Sequence, residues 1–142
     1  MSLRIEEPSD DELPATFAVV RQLRAHLDLA EFVACVTRQR ATGYRLVVAR
    51  DPSGAIVGAI GMRPVDTLAR GHHLHVDDLV VDQACRNRGI GDALMAFAER
   101  WAAEHRCASV FLDARAEAMR FYARLGYAAH TATLVRKRLG ET

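Results

Sequence analysis

Two arginines and two glycines occur close together in the segment Arg86-Asn87-Arg88-Gly89-Ile90-Gly91. Glycines let the backbone adopt unusual dihedral angles and approach a ligand closely. The free amides of a helix that starts here carry roughly half a positive charge, and arginine donors suit phosphate oxygens. The segment therefore indicates a pyrophosphate-binding turn, although an ordinary glycine turn would explain the two glycines alone equally well.

Two common phosphate-binding motifs do not fit this segment. A Walker loop requires a lysine followed by serine or threonine after its last glycine, whereas Gly91 is followed by Asp92-Ala93. A dinucleotide-binding turn requires a third glycine where Leu94 stands, and it belongs near the start of its domain.

The elements around this turn predict how it is positioned. A mostly apolar strand over 72–81 precedes it, and a helix over about 90–105, a strand over 108–113 and a helix over 116–125 follow. A strand–helix–strand order of this spacing implies a right-handed crossover between two parallel neighbouring strands.

The other predicted elements are mostly antiparallel strands and helices. They are a strand over 3–5, a helix from 13 whose apolar face continues to 27, a helix over 29–40, hairpin strands over 44–50 and 55–63, a linker over 64–71 and a last strand over 129–139. The hairpin turn Asp51-Pro52-Ser53-Gly54 has a type I pattern. Glycines inside the second hairpin strand suggest a bulge or a close backbone approach.

Composition limits the classes of function. The 142 residues fit one domain over 1–142, half of them are hydrophobic, and the net charge of +1 gives no field for nucleic acid or membrane. The basic run Arg136-Lys137-Arg138 would place its charges on both faces of a strand, so nucleic-acid binding ranks last. Three cysteines without metal-ligand spacing, and the lack of an apolar leader or membrane span, favour a cytoplasmic protein.

The chain resembles the GNAT superfamily of acyl-CoA N-acyltransferases. Arg86-x-x-Gly89-x-Gly91 matches that family's R/Q-x-x-G-x-G/A pattern, and "FYARLGY" over 121–127 resembles its late FYxxxGF segment. "GYRL", "LHVDDLVV" and "MRFYARLGY" in one chain are similar to bacterial acetyltransferases of undefined substrate. The resemblance implies an α/β fold: a mixed, mostly antiparallel sheet of six to seven strands, its central parallel pair splayed apart, with about four helices on both faces.

The resemblance also implies acetyl-CoA as co-substrate and no metal. Its pantetheine arm would lie along the preceding strand and its pyrophosphate on the turn. The residues that would bind it are Leu79, Val80, Val81, Arg86, Asn87, Arg88, Gly89, Ile90, Gly91 and Asp92.

Direct acetyl transfer to a primary amine needs a proton acceptor and a proton donor. Tyr122 matches the family tyrosine that protonates the CoA sulfur, although packing as a core tyrosine is the alternative. For the base, alternation places His75, Asp77 and Leu79 on one face and Asp78 on the other unless a bulge intervenes. Asp77 is favoured as the base, with a purely structural carboxylate as the alternative for this residue. His75 is second, a water is a further alternative, and Asp78 could instead bind the substrate ammonium.

Some features leave alternatives open. Arg115 stands where the family often has a cofactor-binding asparagine, which keeps a non-catalytic acyl-CoA-binding or sensing module as the alternative function. The cluster of His72, His73 and His75 is read as a solvated strand end rather than a metal site. The acceptor is expected to be a small-molecule amine, a peptide N-terminus or a lysine, and the resemblance allows a homodimer.

Overall fold

The computed structural model describes residues 2–140 and contains a five-stranded sheet with helices on both faces. The helices are α1 (Leu13–Val20), α2 (Leu29–Arg40), α3 (Ile90–Glu104) and α4 (Met119–Arg124). The strands are β1 (Arg4–Glu6), β2 (Arg45–Arg50), β3 (Ile56–Thr67), β4 (Gly71–Val81) and β5 (Val110–Leu112). Within the described residues, no helix is long and apolar enough to cross a membrane.

The strands lie in chain order, and only the last pair is parallel. β1 to β4 form three successive antiparallel pairs, and β5 joins β4 through α3 as a parallel neighbour. The β4–β5 pairing begins at Leu74 opposite Val110 and ends at Val76 opposite Leu112. Because β4 continues to Val81, the two strands separate at that point, as the predicted splayed pair requires.

Two apolar clusters hold the helices to the sheet. On one face, α1 and α2 pack apolar side chains against the sheet. Phe32 and Val36 of α2 are among them, and the sheet residues that they face include Val48 and Val80. On the other face α3 buries Leu94 and its neighbours against the opposite side of the same strands. The Asp28 side chain begins α2 by accepting from the Glu31 amide at 2.8 Å, which explains why the predicted start of this helix is confirmed.

A β-bulge interrupts the β3–β4 ladder beside the splay. Gly61 pairs with Asp78 and Met62 pairs with Val76, so Asp77 is the extra residue on β4. A β-carbon on Gly61 would collide with the Tyr44 hydroxyl, so only glycine fits there. The glycine in this strand therefore marks both the bulge and the close approach that the sequence suggested.

The last predicted strand is not formed, so the prediction of six to seven strands is wrong for the described residues, which form five. Residues 129–140 have no regular secondary structure and are exposed, and β5 contributes only three residues. An alternating sequence forms a strand only where a neighbour receives its hydrogen bonds, and the outer edge of β5 offers a short one. The parallel pair consequently lies at the edge of the sheet rather than at its centre.

Two further boundaries differ from the prediction. The expected linker over 64–71 is mostly strand: β3 runs to Thr67, which pairs with Gly71 across a tight turn. α1 ends at Val20 instead of continuing to 27, because the chain enters a series of turns there. This early end brings Arg24 to the sheet, where it contacts β4.

Candidate active site

The glycine-rich turn forms the N-terminus of α3, as predicted. Asn87 and Gly89 have left-handed backbones, with φ of 65° and 77°, and Gly89 is the N-cap residue of the helix. A glycine has no side chain with which to cap the helix, so the first amides of α3 have no intrahelical or side-chain acceptor. These amides and the positive end of the helix dipole make the turn suited to an anion.

A cavity of about 720 Å³ lies against this turn. Eight of the ten predicted cofactor-binding residues line it: Leu79, Val81, Arg86, Asn87, Gly89, Ile90, Gly91 and Asp92. The other two do not. Val80 faces the α1–α2 side of the sheet, and the Arg88 side chain is exposed outside the cavity lining. The Ile90 side chain is buried in the core, so its main chain is what this residue can offer to a ligand.

An acidic residue sits in this otherwise cationic turn, and α4 neutralises it. Both terminal nitrogens of Arg124 donate to the Asp92 carboxylate, at 2.9 and 3.1 Å. The hydrogen bond and charge of Arg124 lower the pKa of Asp92, so the carboxylate stays ionised and paired. The ion pair joins the first turn of α3 to α4 across the cavity, and a β-carbon on Gly91 would approach Phe121 of α4 to 3.2 Å.

Tyr122 lines the same cavity, on α4. Its ring packs edge-on against Phe121 and Tyr127, at centroid distances of 5.0 and 5.9 Å. Burial raises the pKa of Tyr122, which keeps the phenol protonated at neutral pH. Among residues 2–140, no group forms a hydrogen bond with its hydroxyl. The ring of Tyr122 is thus part of the packing of α4, and the residue also lines the cavity at the start of α3.

His75 and Asp77 form a hydrogen-bonded pair where the parallel strands separate. His75 Nδ1 lies 3.0 Å from Asp77 Oδ1, and Arg63 Nε donates to Asp77 Oδ2 at 2.8 Å. Burial opposes ionisation of Asp77, but the hydrogen bonds from His75 and Arg63 outweigh it and lower the pKa of the carboxyl. On the other side of the ring, His75 Nε2 lies 4.0 Å from Asp113 Oδ2, in a second cavity of about 1110 Å³ along β5.

Asp78 is held in a separate network on the α1–α2 face. Its two oxygens accept from the Tyr44 hydroxyl at 2.7 Å and from Arg24 Nε at 3.0 Å. Arg24 also donates to the main-chain carbonyl of Asp77, at 2.9 Å. Burial and the neighbouring Asp78 charge raise the pKa of Tyr44, so the phenol remains a donor. These hydrogen bonds hold the bulge of β4 in place from the α1–α2 face of the sheet.

Comparisons with known proteins identify the fold and the class of enzyme. The sequence profile of the acetyltransferase (GNAT) family matches residues 8–127. The chain belongs to this family of N-acetyltransferases. It is 30% identical over 121 residues to YhdJ of Bacillus subtilis, an uncharacterized N-acetyltransferase, with 80% of this chain and 82% of the relative covered.

Two further similarities carry more detail. A probable glucosamine 6-phosphate N-acetyltransferase of Oryza sativa subsp. japonica is 32% identical over 136 residues, with 89% of this chain and 81% of the relative covered. The crystal structure of an acetyltransferase from Trypanosoma brucei superposes with a TM-score of 0.80 at 25% identity, covering 96% of this chain and 100% of that one. The GNAT fold thus extends over nearly the whole sequence.

GNAT enzymes use acetyl-CoA, and the cavity has groups that match the parts of this molecule. The α3 amides and Arg86 suit a diphosphate, and the apolar side chains of Leu79 and Val81 suit the pantetheine arm. From Asp77 to Val81, the side of β4 that faces away from β3 has no paired strand among the described residues. An extended chain of amides could add there as a strand would.

The GNAT motifs did not reveal every polar group at the site. The sequence analysis missed Arg63, Arg24 and Asp113. Arg63 contacts the site only because of the bulge, and Arg24 only because of the turn after α1. The position of Asp113 directly after a parallel strand is a signal that could have found it. Arg115, the departure from the family pattern, donates weakly to the Leu23 carbonyl at 3.4 Å and does not line the smaller cavity.

The histidine cluster separates into three different environments. His72 pairs with Asp66 at 2.8 Å on the surface, and His73 is buried with its Nδ1 on the Gly71 carbonyl at 3.0 Å. His75 alone of the three joins the Asp77 pair. Within residues 2–140, no three histidine, cysteine or carboxylate side chains are grouped so that they could hold a metal ion.

Proposed function

We propose that this chain binds acetyl-CoA in the cavity at the start of α3 and transfers its acetyl group directly to a primary amine. Acetyl-CoA supplies an activated acyl thioester, so the chain has to orient two reactants and move two protons. The strongest support is that Tyr122 and the glycine-rich turn line one cavity. A protonated hydroxyl and a diphosphate-binding turn are thereby available to one bound molecule.

The anchoring role falls to the turn and the free part of β4. The first amides of α3 and the Arg86 guanidinium would hold the diphosphate, while Arg124 keeps Asp92 from repelling it. The edge of β4 beyond Val76 would hold the amides of the pantetheine arm. Val80 and Arg88 contribute, in this proposal, through the main chain only.

The proton donor is Tyr122. Its raised pKa keeps the phenol protonated at neutral pH, so the hydroxyl has a proton that it can give to the departing thiolate. The alternative of a non-catalytic acyl-CoA-binding module gains no support from Arg115, whose side chain points to the turn after α1.

The proton acceptor is His75, with Asp77 as the group that orients it. The sequence favoured Asp77, but its carboxylate accepts from two cationic or potentially cationic partners and its pKa is lowered, which makes it a weaker base. His75 Nε2 faces Asp113, whose carboxylate is exposed and could receive the ammonium form of the acceptor. Asp78, with both oxygens engaged, is assigned to the bulge rather than to the acceptor.

The acceptor is a primary amine, and glucosamine 6-phosphate is the first candidate to test, because a relative 32% identical to this chain carries that name. The assay follows free thiol release from acetyl-CoA with glucosamine 6-phosphate, glucosamine, and peptides with a free N-terminus or lysine. Thiol release with at least one amine, lost in Tyr122→Phe, is expected. Tight acetyl-CoA binding without release on the whole panel would favour the sensing module instead.

A homodimer and a cytoplasmic location complete the proposal. The exposed apolar side chains of Leu134, Val135 and Leu139 lie in the segment after α4, and β5 has an open outer edge, so a second copy could extend the sheet there. Light scattering on the protein and on Leu134→Glu tests this: a dimer that the substitution dissociates is expected. The three cysteines are all unpaired, which suits a reducing compartment.

A further inference from the structure

Arg63 is the least expected member of the His75–Asp77 group, because nothing in the family motifs points to it. It lies on β3 directly opposite His75 in the ladder. Its Nε donates to Asp77 Oδ2 at 2.8 Å, while Asp77 Oδ1 faces His75 Nδ1 at 3.0 Å. One carboxylate thus connects a guanidinium to an imidazole.

The bulge makes this three-residue contact possible. In a regular strand, residues 76 and 79 would point to opposite faces, yet Val76 and Leu79 both pack on the α3 side. The extra residue, Asp77, therefore has its own orientation, and arginines hold it at both its main chain and its side chain. Arg24 binds its carbonyl at 2.9 Å, and Arg63 binds its carboxylate.

We propose that Arg63 is a positioning residue that fixes the tautomer and the orientation of His75 through Asp77. An ionised carboxylate can only accept hydrogen bonds, so His75 Nδ1 must carry the proton that it donates to Asp77. The lone pair of Nε2 is then directed toward Asp113 and the cavity, where an acceptor amine can give up a proton. This inference rests on the base role proposed for His75.

The charged groups nearest His75 come from four elements, and the cavity that its ring lines is also lined by Arg70, Glu99 and His130. Arg63 approaches from β3, Asp113 from the loop after β5, and Arg24 from the turn after α1, while Asp77 is on β4 itself. Asp78 belongs to the same strand but is engaged by Arg24 and Tyr44. Among these, Arg63 is the positive group bound to the carboxylate that contacts the imidazole. Its removal would leave the Asp77 carboxylate without the contact that fixes its orientation against the His75 ring.

The test compares Arg63→Met with Arg45→Met. Arg45 is a matched control, since its side chain is 46% exposed against 42% for Arg63 and it also pairs with a carboxylate, Glu7, at 3.7 Å. In Arg63→Met we expect kcat to fall about 10-fold with an unchanged KM for the amine. Arg63→Lys keeps the charge and a donor for Asp77, so it should recover part of the lost kcat.

A second readout does not depend on turnover. Nitrogen-15 NMR of the full chain with labelled histidine reports which ring nitrogen of His75 carries the proton, and Nδ1–H is expected in the unaltered protein and in Arg45→Met. Arg63→Met should show a mixture of the two ring tautomers. An unchanged ring signal in Arg63→Met would overturn the positioning role. A rise in KM for the amine with kcat preserved would also overturn it and would make Arg63 an acceptor-binding group. If His75→Gln keeps full activity, the base role fails instead, whatever the NMR shows.

Discussion

The two sides of the site are built in different ways. On the proposed donor side, the glycine-rich turn is one continuous segment from Arg86 to Asp92, and its geometry depends mainly on local backbone conformation. On the proposed acceptor side, His75, Asp77 and Arg63 belong to two strands and are brought together by a bulge, with Asp113 added from a third element. A local site can be altered without moving the rest of the molecule, whereas a site made at a bulge depends on the register of the sheet. The two sides should therefore fail separately when they are mutated.

The largest effect is expected from His75→Gln, which removes the proposed proton acceptor. Turnover should fall about 10³-fold while the Kd for acetyl-CoA is unchanged, because general base catalysis contributes about 10²- to 10⁴-fold. Steady-state kinetics and calorimetry measure the two quantities. His72→Gln is the matched control, since His72 lies on the same strand as His75 and also pairs with a carboxylate, that of Asp66 on β3. Equal losses in both variants would mean that the strand end, and not the His75 ring, matters.

Tyr122→Phe should have the next largest effect, about 10² in kcat, with acetyl-CoA affinity nearly unchanged. Only the hydroxyl is removed, and the ring keeps its packing on Phe121. Tyr127→Phe is the comparison on the acceptor side, because its hydroxyl donates to Glu99 at 2.8 Å and the residue lines the cavity that contains His75. A parallel loss of affinity and turnover in Tyr122→Phe would contradict its assignment as proton donor.

Gly89→Ala should reverse this pattern: weaker acetyl-CoA binding with turnover at saturation preserved. A left-handed backbone costs a residue with a β-carbon about 1–2 kcal/mol, so we expect about a 10-fold higher Kd as the turn relaxes. Gly43→Ala carries the same kind of strain at φ +105°, likewise without a steric neighbour, but far from the cavity. The melting temperature should drop in both variants, and only Gly89→Ala should lose affinity. Affinity loss in Gly43→Ala would point to a global effect.

The smallest functional effect is expected from Glu12→Gln, outside both sides of the site. The Arg50 hydrogen bond lowers the pKa of Glu12 to about 2. Because the folded-state pKa is below the unfolded one, this contribution to stability is complete above about 4.5 and is lost as the pH falls toward about 2. Urea midpoints should thus fall less steeply over that range in Glu12→Gln, which should also be less stable at pH 7. Kinetics at pH 7 should be unchanged. An altered KM would mean that the Glu12–Arg50 ion pair is coupled to one side of the site.

The same contrast explains what the sequence could predict. The turn, α2, α3 and the parallel crossover were found because glycines, cap residues and helical spacing are local signals. Alternation placed His75 and Asp77 on one face of β4, but the contact of Arg63 with Asp77 could not be derived, since it depends on the position of the bulge and on the pairing of β3 with β4. The prediction of a strand over 129–139 was wrong, because an alternating sequence does not show whether a partner strand is present.

The separation of β4 from β5 after Val76 has a consequence for how the protein behaves in solution. Within residues 2–140, the backbone groups of the last part of β4 that point away from β3 have no neighbouring strand, so their amide hydrogens should exchange with solvent faster than those of the paired half. A ligand that supplies extended amides to this edge would slow that exchange and raise the melting temperature. In this protein, the substrate would act as the missing neighbour of a strand, and folding stability would report how much of it is bound.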